Sequence, residues 1–541
     1  MKSYSHGAAI AFSSVRRRDV RSAAARLLAA AAAIGATSAA WAAPKAKASK
    51  ATPAPPVQLR TVFLERSALP LTQFQLTFRV GSADDPPGKQ GLAQLTATML
   101  REGGSKAMGM RPSMSRAELE ETLFPLAAEI HVDVEAEQTT LSVTAPVEEA
   151  ERVLDVLAQV TIAPAFDAKE FERVKSETLL ALKNRWPQED AEEIGKAVLD
   201  AAIFGKGHPY AHVRDGTVKT VAALTLDDVK KFYATKYTLR RLTAGLAGNV
   251  SERVRRRFEQ HLRRLPPGED GAAAVPAAPT SQALSLTLVK GPFESVGVHL
   301  GVPLSVTRAS PEFPAWYLVA TAFGKHRSFV GRLMRVVREE RGLNYGAYAY
   351  VEAFPDGGRR LTEPTQAARQ RQAFTLWGRP TSVDNGCFLL KQMYREMVRL
   401  ANEGLSEEEF ALAKSHLLGT LPMMGAELDR ALGYRIDAVF YGLDEEDPTM
   451  RLVNGVKALE HRKVNQLLRE QLKPFQAKLV VTTPDPARFK RELAQPACAI
   501  RYPEGIQKSS RVKQEDDAIA SFVLNPAEVV EIDAVAFFTG E

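Results

Sequence analysis

Apolar and polar positions recur along this chain with two periods, and the switches between them mark its elements. Near-alternation, the signature of a strand with one covered face, runs through QLRTVFLE at 58–65 and FQLTFRV at 74–80. It returns in AEIHVDVEAE at 128–137, TTLSVTAP at 139–146 and LTAGLAGNV at 242–250. In GLAQLTATMLREGGS, 91–105, the spacing changes: Leu92, Leu95, Met99 and Leu100 fall on one face of a helix. Helical spacing also covers about 147–160, 167–186, 189–204, 225–236 and 251–265. Strand alternation then resumes with LSLTLVKG at 284–291 and VGVHLGVP at 296–303, and once more near the end in VVEIDAVAFF at 529–538.

The second half repeats the first. Glu170-Phe171 is followed after three residues by Lys175-Ser176, and Glu409-Phe410 by Lys414-Ser415. Val221, Leu224, Val229 and Phe232 are matched in spacing by Val456, Leu459, Val464 and Leu467. Both motifs occur in the same order with nearly the same offset, as a duplication requires. Low-complexity stretches separate the copies. The expected organisation is a leader at 1–42, a linker at 43–56, a first domain at 57–265, a linker at 266–282, a second domain at 283–502 and a tail at 503–541. Strands and helices in each copy predict an α+β fold of two homologous domains, each a mostly antiparallel sheet packed with helices.

Composition changes this picture at one end only. The formal charge is +7, but six basic residues and one acid precede Ala43, so the remainder is nearly balanced and does not suggest a nucleic-acid partner. Arg26 is followed by the apolar run LLAAAAAIGATSAA and by Ala40-Trp41-Ala42, a small-x-small pattern. That is a cleaved export signal, with a retained membrane anchor as the alternative. The run is short for a stable span. Cys387 and Cys498 are the only cysteines. They exclude a disulfide framework and, lying in apolar segments, read as two buried thiols, although an oxidising compartment would permit pairing.

Candidate chemistry is sparse. His208 and His212 are separated by Pro209, which breaks the helix that would align them as metal ligands. In Leu333–Tyr345, the residues Leu333, Val336 and Val337 predict a helix face closed by Gly342. This puts Arg338 in the last turn and Tyr345 at the start of a strand. On the residues alone, Arg338 balances a helix end and Tyr345 is a half-buried strand residue.

The 91–103 segment resembles the inverted zinc helix of the insulinase/pitrilysin peptidases, G-L-A-H-x-x-E-H-M-L-x-x-G. Gly91, Leu92, Ala93, Met99, Leu100 and Gly103 keep that frame, while Gln94, Ala97 and Thr98 stand where the family has a metal His, the general-base Glu and the second metal His. Glu177 lies where the family usually places its third ligand, and is otherwise a solvated helix residue. His208-Pro209-Tyr210 and Gly216-Thr217 occur in the family's order. The resemblance covers about 57–500 and implies a chain without its own zinc. Arg338 and Tyr345 match the family's R-E-x-x-G-L-x-Y motif, whose Arg and Tyr contact the substrate carbonyl and steady an oxyanion. The resemblance therefore implies the zinc-less subunit of a two-chain periplasmic peptidase. Its partner would be an insulinase-like subunit with intact His-x-x-Glu-His holding zinc, and its substrate a peptide or unfolded segment held extended along a sheet edge. The alternative is an inert structural or peptide-binding pseudo-peptidase, as among core subunits related to mitochondrial processing peptidase.

Overall fold

The computed structural model describes residues 57–189, 191–269, 274–355, 360–443 and 447–540. The expected leader and the 43–56 linker lie outside these residues, as does part of the 266–282 linker. Among the described residues eleven strands form two sheets. The first contains β1 (Arg60–Glu65), β2 (Leu71–Phe78), β3 (His131–Val134), β4 (Thr139–Pro146) and β5 (Leu242–Gly248), in the order β1-β5-β2-β4-β3. The second contains β6 (Ser285–Lys290), β7 (Val296–Leu304), β8 (Ala347–Tyr350), β9 (Gln372–Thr381), β10 (Lys478–Thr483) and β11 (Glu528–Asp533), in the order β11-β6-β10-β7-β9-β8. Without β11, the two orders correspond strand for strand. In each, the outer pair (β1 with β5, β6 with β10) is parallel and the other pairings are antiparallel. The fold is α+β, with two like domains.

The sequence repeats meet in space. Lys175, on the helix Ala168–Leu180, donates to the Leu224 carbonyl at 2.7 Å. Lys414, on the helix Glu407–Thr420, donates to the Leu459 carbonyl at 2.8 Å. In both copies the lysine of the first motif closes the backbone at the leucine of the second, which ends a helix and leaves a carbonyl without an intrahelical donor. The phenylalanines of the first motif, Phe171 and Phe410, are buried in their own halves' cores.

Each half also lends a helix to the other. The helix Ala191–Phe204 of the first half packs on β7 and β10 of the second sheet, and Leu428–Phe440 of the second half packs on β5, β1 and β2 of the first. The approach is close. Gly195 lies against His299, where an added Cβ would come within 2.1 Å of the ring, and Gly245 on β5 lies under Leu432 and Ile436. Polar contacts lock the halves further: Gln370 donates to Glu137, Gln366 to Gln75, and Arg369 pairs with Asp200 at 3.0 Å. The 266–282 segment is not merely a spacer. Val275 is buried in the first core, and its carbonyl accepts from Arg371 at 3.0 Å.

The tail is also built in. The helix Ser510–Ala520 is held by Arg341, whose side chain has no exposed surface and pairs with Asp516 at 2.7 Å and Glu515 at 3.1 Å. β11 then extends the second sheet, and the turn of helix Ala534–Thr539 buries Phe538 in the core of the first half. The reading of Cys387 and Cys498 as separate thiols is corrected: they form a disulfide across a Cα–Cα distance of 5.9 Å. Cys387 begins the helix Gly386–Asn402, and Cys498 is drawn to it where its own N–H donates to the Ala520 carbonyl at 3.1 Å. The tail helix brings the two cysteines together, a contact that local pattern cannot reveal across 111 residues.

Candidate functional site

The helix Leu92–Glu102 forms because its apolar stripe is covered by the first core: Leu92, Leu95, Met99 and Leu100 are each 2% exposed or less. Burial of each contributes on the order of 1.5–3 kcal/mol. Its N-terminus has an unusual cap. Gly91 takes φ +94°, and an added Cβ would stand 2.6 Å from the Asp215 carbonyl oxygen, so only glycine fits. The free N–H groups of Gly91 and Ala93 donate to the Asp85 carboxylate at 2.8 and 2.7 Å. Burial pushes the Asp85 carboxyl up, against the opposing effects of His212 and those two N–H groups. Asp85 stands six residues before the helix, too far for a cap motif to reveal it.

Three positions on this helix decide its chemistry. Gln94 and Thr98 are partly exposed and bond to each other, Nε2 to Oγ1 at 3.3 Å, and Thr98 also donates to the Gln94 carbonyl at 2.9 Å. Ala97 has no exposed surface and is part of the core. Glu177 does not join them as a free carboxylate: Arg173 holds it at 2.9 Å while also binding Glu170 and Glu102. An amide, a hydroxyl and a methyl form a poor donor set for zinc, which takes thiolate, imidazole or carboxylate. These residues do not fit that ion. Among the described residues no three His, Cys, Asp or Glu side chains converge as a metal-binding group.

Arg338 and Tyr345 are brought together. The helix here is wound as a π-turn over Met334–Glu339, a wider coil often found at functional sites. Gly342, at φ +67°, ends it. The Gly342 N–H donates to the Arg338 carbonyl at 2.7 Å and the Leu343 N–H to the Val337 carbonyl at 3.1 Å. The chain then turns so that Tyr345, just before β8, lies with its ring 4.5 Å from the Arg338 guanidinium carbon. Tyr345 is 66% exposed rather than half-buried. Two further side chains, which sequence reasoning missed, join the pair. Phe329, 67% exposed, lies 4.7 Å from Arg338 on a loop, and Arg379 on β9 lies 5.9 Å from the Tyr345 ring. Neither carries a motif that would announce it.

Beneath the loop, His326 is its anchor. It is buried among Tyr348, Phe354 and Trp377. Burial lowers its pKa to about 4. The neutral ring donates from Nε2 to the Arg360 carbonyl at 3.0 Å and accepts the Tyr350 hydroxyl at Nδ1, 2.7 Å away. Nearby, a cavity of about 210 Å³ lies between the halves, lined by Trp186, Lys196, His299, Tyr350, Trp377 and Phe538. Arg338 and Tyr345 do not line it; Tyr345 is exposed and Arg338 half-buried.

A two-domain peptidase scaffold whose ligand-bearing helix has lost ligands and base thus also carries a cation–phenol pair with an exposed ring. Sequence comparisons agree with this class. The model of the insulinase family, peptidase family M16, matches residues 61–208, and that of the peptidase M16 inactive domain matches residues 223–417. Similar proteins include the non-peptidase homolog YmxG of Helicobacter pylori, 23% identical over 414 residues, which span 75% of this chain and 88% of that protein. An uncharacterized zinc protease of Mycobacterium leprae is 27% identical over 358 residues, 64% of this chain and 72% of that one. Among solved structures, a peptidase M16 inactive domain from Pseudomonas fluorescens superimposes with a TM-score of 0.67 at 23% identity, covering 79% of this chain and 96% of its own. The first half of the periplasmic protease PqqL from Escherichia coli gives 0.61 at 14% identity, covering 86% and 96%. This chain belongs to the insulinase (M16) peptidase family.

Proposed function

We propose that this chain is the non-zinc subunit of an exported two-chain peptidase, contributing Arg338 and Tyr345 to a site whose metal and general base stand on a partner with intact His-x-x-Glu-His. The observation that carries this reading is the contrast within one molecule: Gln94, Ala97 and Thr98 stand where a zinc helix has its ligands and base, while the Arg/Tyr pair is assembled with the Tyr345 ring exposed. In such a site, charge develops on the scissile carbonyl oxygen of a bound peptide. The guanidinium N–H groups and the phenol O–H donate to that oxygen, and their ring-on-cation packing fixes their relative position before reaction. PqqL, which carries a comparable fold in its first half and matches this chain over 50% of its full length, supports a two-half arrangement. The Cys387–Cys498 disulfide supports an oxidising compartment, hence export to the periplasm.

Reconstitution with a zinc-bearing insulinase-like partner tests this. Tyr345→Phe keeps the ring over Arg338 and removes one donor, so kcat is expected to fall by on the order of 10²–10³ with assembly unchanged. Arg338→Ala is expected to raise KM as well. The second reading, an inert peptide-binding scaffold, is favoured by the loss of ligands and base at Gln94, Ala97 and Thr98. It predicts unchanged kcat and KM in both variants. The purified chain alone is expected to hold no stoichiometric zinc by metal analysis and to hydrolyse no peptide.

A further inference from the structure

A π-turn bonds each carbonyl one residue further along than an α-helix does, so something must hold its extra residue in place. At Met334–Glu339 the hold comes from outside the helix. The Glu340 N–H reaches past the Val336 carbonyl and donates to the Arg335 carbonyl at 2.9 Å. The Val336 carbonyl accepts from two side chains, Arg341 Nη1 at 2.8 Å and Gln392 Nε2 at 2.9 Å. Arg341 is placed in turn by the tail. Its side chain has no exposed surface; Nε donates to Asp516 at 2.7 Å and Nη2 to Glu515 at 3.1 Å, both on the helix Ser510–Ala520. The Tyr502 hydroxyl donates to the second oxygen of Asp516 at 2.7 Å. One helix, Gly386–Asn402, grips both the tail and the π-turn. Cys387 is bonded to Cys498, Lys391 donates to the Ala520 carbonyl at 2.8 Å, and the next residue, Gln392, is the one that reaches Val336.

We infer that Arg341 and Asp516 are positioning residues, through which the tail helix holds the π-turn open and so sets Arg338 against the Tyr345 ring, 4.5 Å away. An α-helical ladder over the same residues would pass the Val336 carbonyl to the Glu340 N–H. That re-registers the turn by one residue, about 100° around the helix axis, and takes Arg338 off the ring. The effect on turnover rests on the shared-site role proposed for the pair; the hold on the turn belongs to this chain alone.

Two measurements test it: hydrogen exchange of the full chain, read by mass spectrometry over 334–345, and turnover of the chain reconstituted with a zinc-bearing partner. Arg341→Met leaves Asp516 buried without its cation, so it is expected to lower Tm as well as local protection. Arg341→Met combined with Asp516→Leu removes both buried charges. Its Tm is expected to return toward the parent value, while Val336 still lacks its arginine donor. Exchange over 334–345 is therefore expected to stay roughly tenfold or more faster than in the parent chain, and kcat to stay lower by a similar factor. Arg511→Ala, at the exposed outer edge of the same charge cluster, should leave both near the parent values. If the double variant is not recovered soluble, Asp516→Asn carries the same test, with exchange rising several-fold over the same residues. Parental exchange over 334–345 overturns the inference. So does faster exchange spread through the whole chain, which marks a merely structural ion pair. Parental kcat in the double variant also overturns it, provided that Tyr345→Phe has lowered turnover of the same pair. If Tyr345→Phe leaves kcat unchanged, the shared-site reading falls, and exchange alone decides whether the tail holds the turn.

Discussion

Ala97 has no exposed surface, while Gln94 and Thr98 on the same helix reach solvent. The three positions that distinguish this helix from a zinc helix are therefore not equivalent. Gln94→His together with Thr98→His is expected to leave urea stability near that of the parent chain. Ala97→Glu buries a carboxyl in an apolar core and is expected to cost on the order of 3 kcal/mol or more in the same measurement. The core has closed around the missing base. At this scale the sequence was informative where a motif fixed the spacing that brings Arg338 and Tyr345 together, and silent where only the fold brings side chains into contact. Phe329 is an ordinary loop residue until the π-turn puts Arg338 under it. Asp85 caps a helix from six residues away, beyond the reach of any local capping pattern.

Elements were legible from their period: β2, β4, β5, β6 and β7 fall where alternation placed them, and the 91–103 helix lies where its apolar stripe did. The short helices Arg116–Leu123 and Val218–Ala223 went unread, because eight and six residues carry too little periodicity. How elements dock was less visible still. The helix Ala150–Ile162 is pinned to its neighbour Glu252–Leu262 through Asp155, which accepts from Arg257 at 2.6 and 2.7 Å and His261 at 2.8 Å and is paired with Arg111 at 2.9 Å. Burial alone would raise the Asp155 pKa, but the bonds from His261 and Arg257 and the nearby charges outweigh it and hold the carboxyl well below the usual carboxylate range. A depressed native value stabilises the fold above the unfolded pKa of about 4, and that contribution is lost as pH falls further toward the native value. Asp155→Asn is accordingly expected to lower Tm at pH 7, and to narrow the gap from the parent protein progressively below about pH 4, as followed by thermal unfolding across pH.

At the scale of the whole molecule, duplication was written in the repeated motifs, but the exchange of helices between the halves was not. Glycines at 195 and 245 give no sign that the other half will pack against them, through His299 of β7 and through Leu432 and Ile436, because exchange is a tertiary event and pattern records only which face is covered. Its energetic consequence is direct. Residues 57–269 expressed alone would leave β5 without Leu432 and Ile436, and the helix Ala191–Phe204 without its sheet, and are expected to aggregate. The same segment co-expressed with 274–541 is expected to be recovered as a soluble complex on gel filtration, and the intact chain to melt in one calorimetric transition. The exchange also sets a timetable. A ribosome releases β5 long before residues 428–440 exist, and Phe538, which also belongs to the first half's core, is made later still. Contacts of such high sequence separation form late, so the nascent chain has nothing with which to finish its first half until the second half emerges. A protein built this way keeps its first half unfinished, and so exposed to other chains, until its second half has been made.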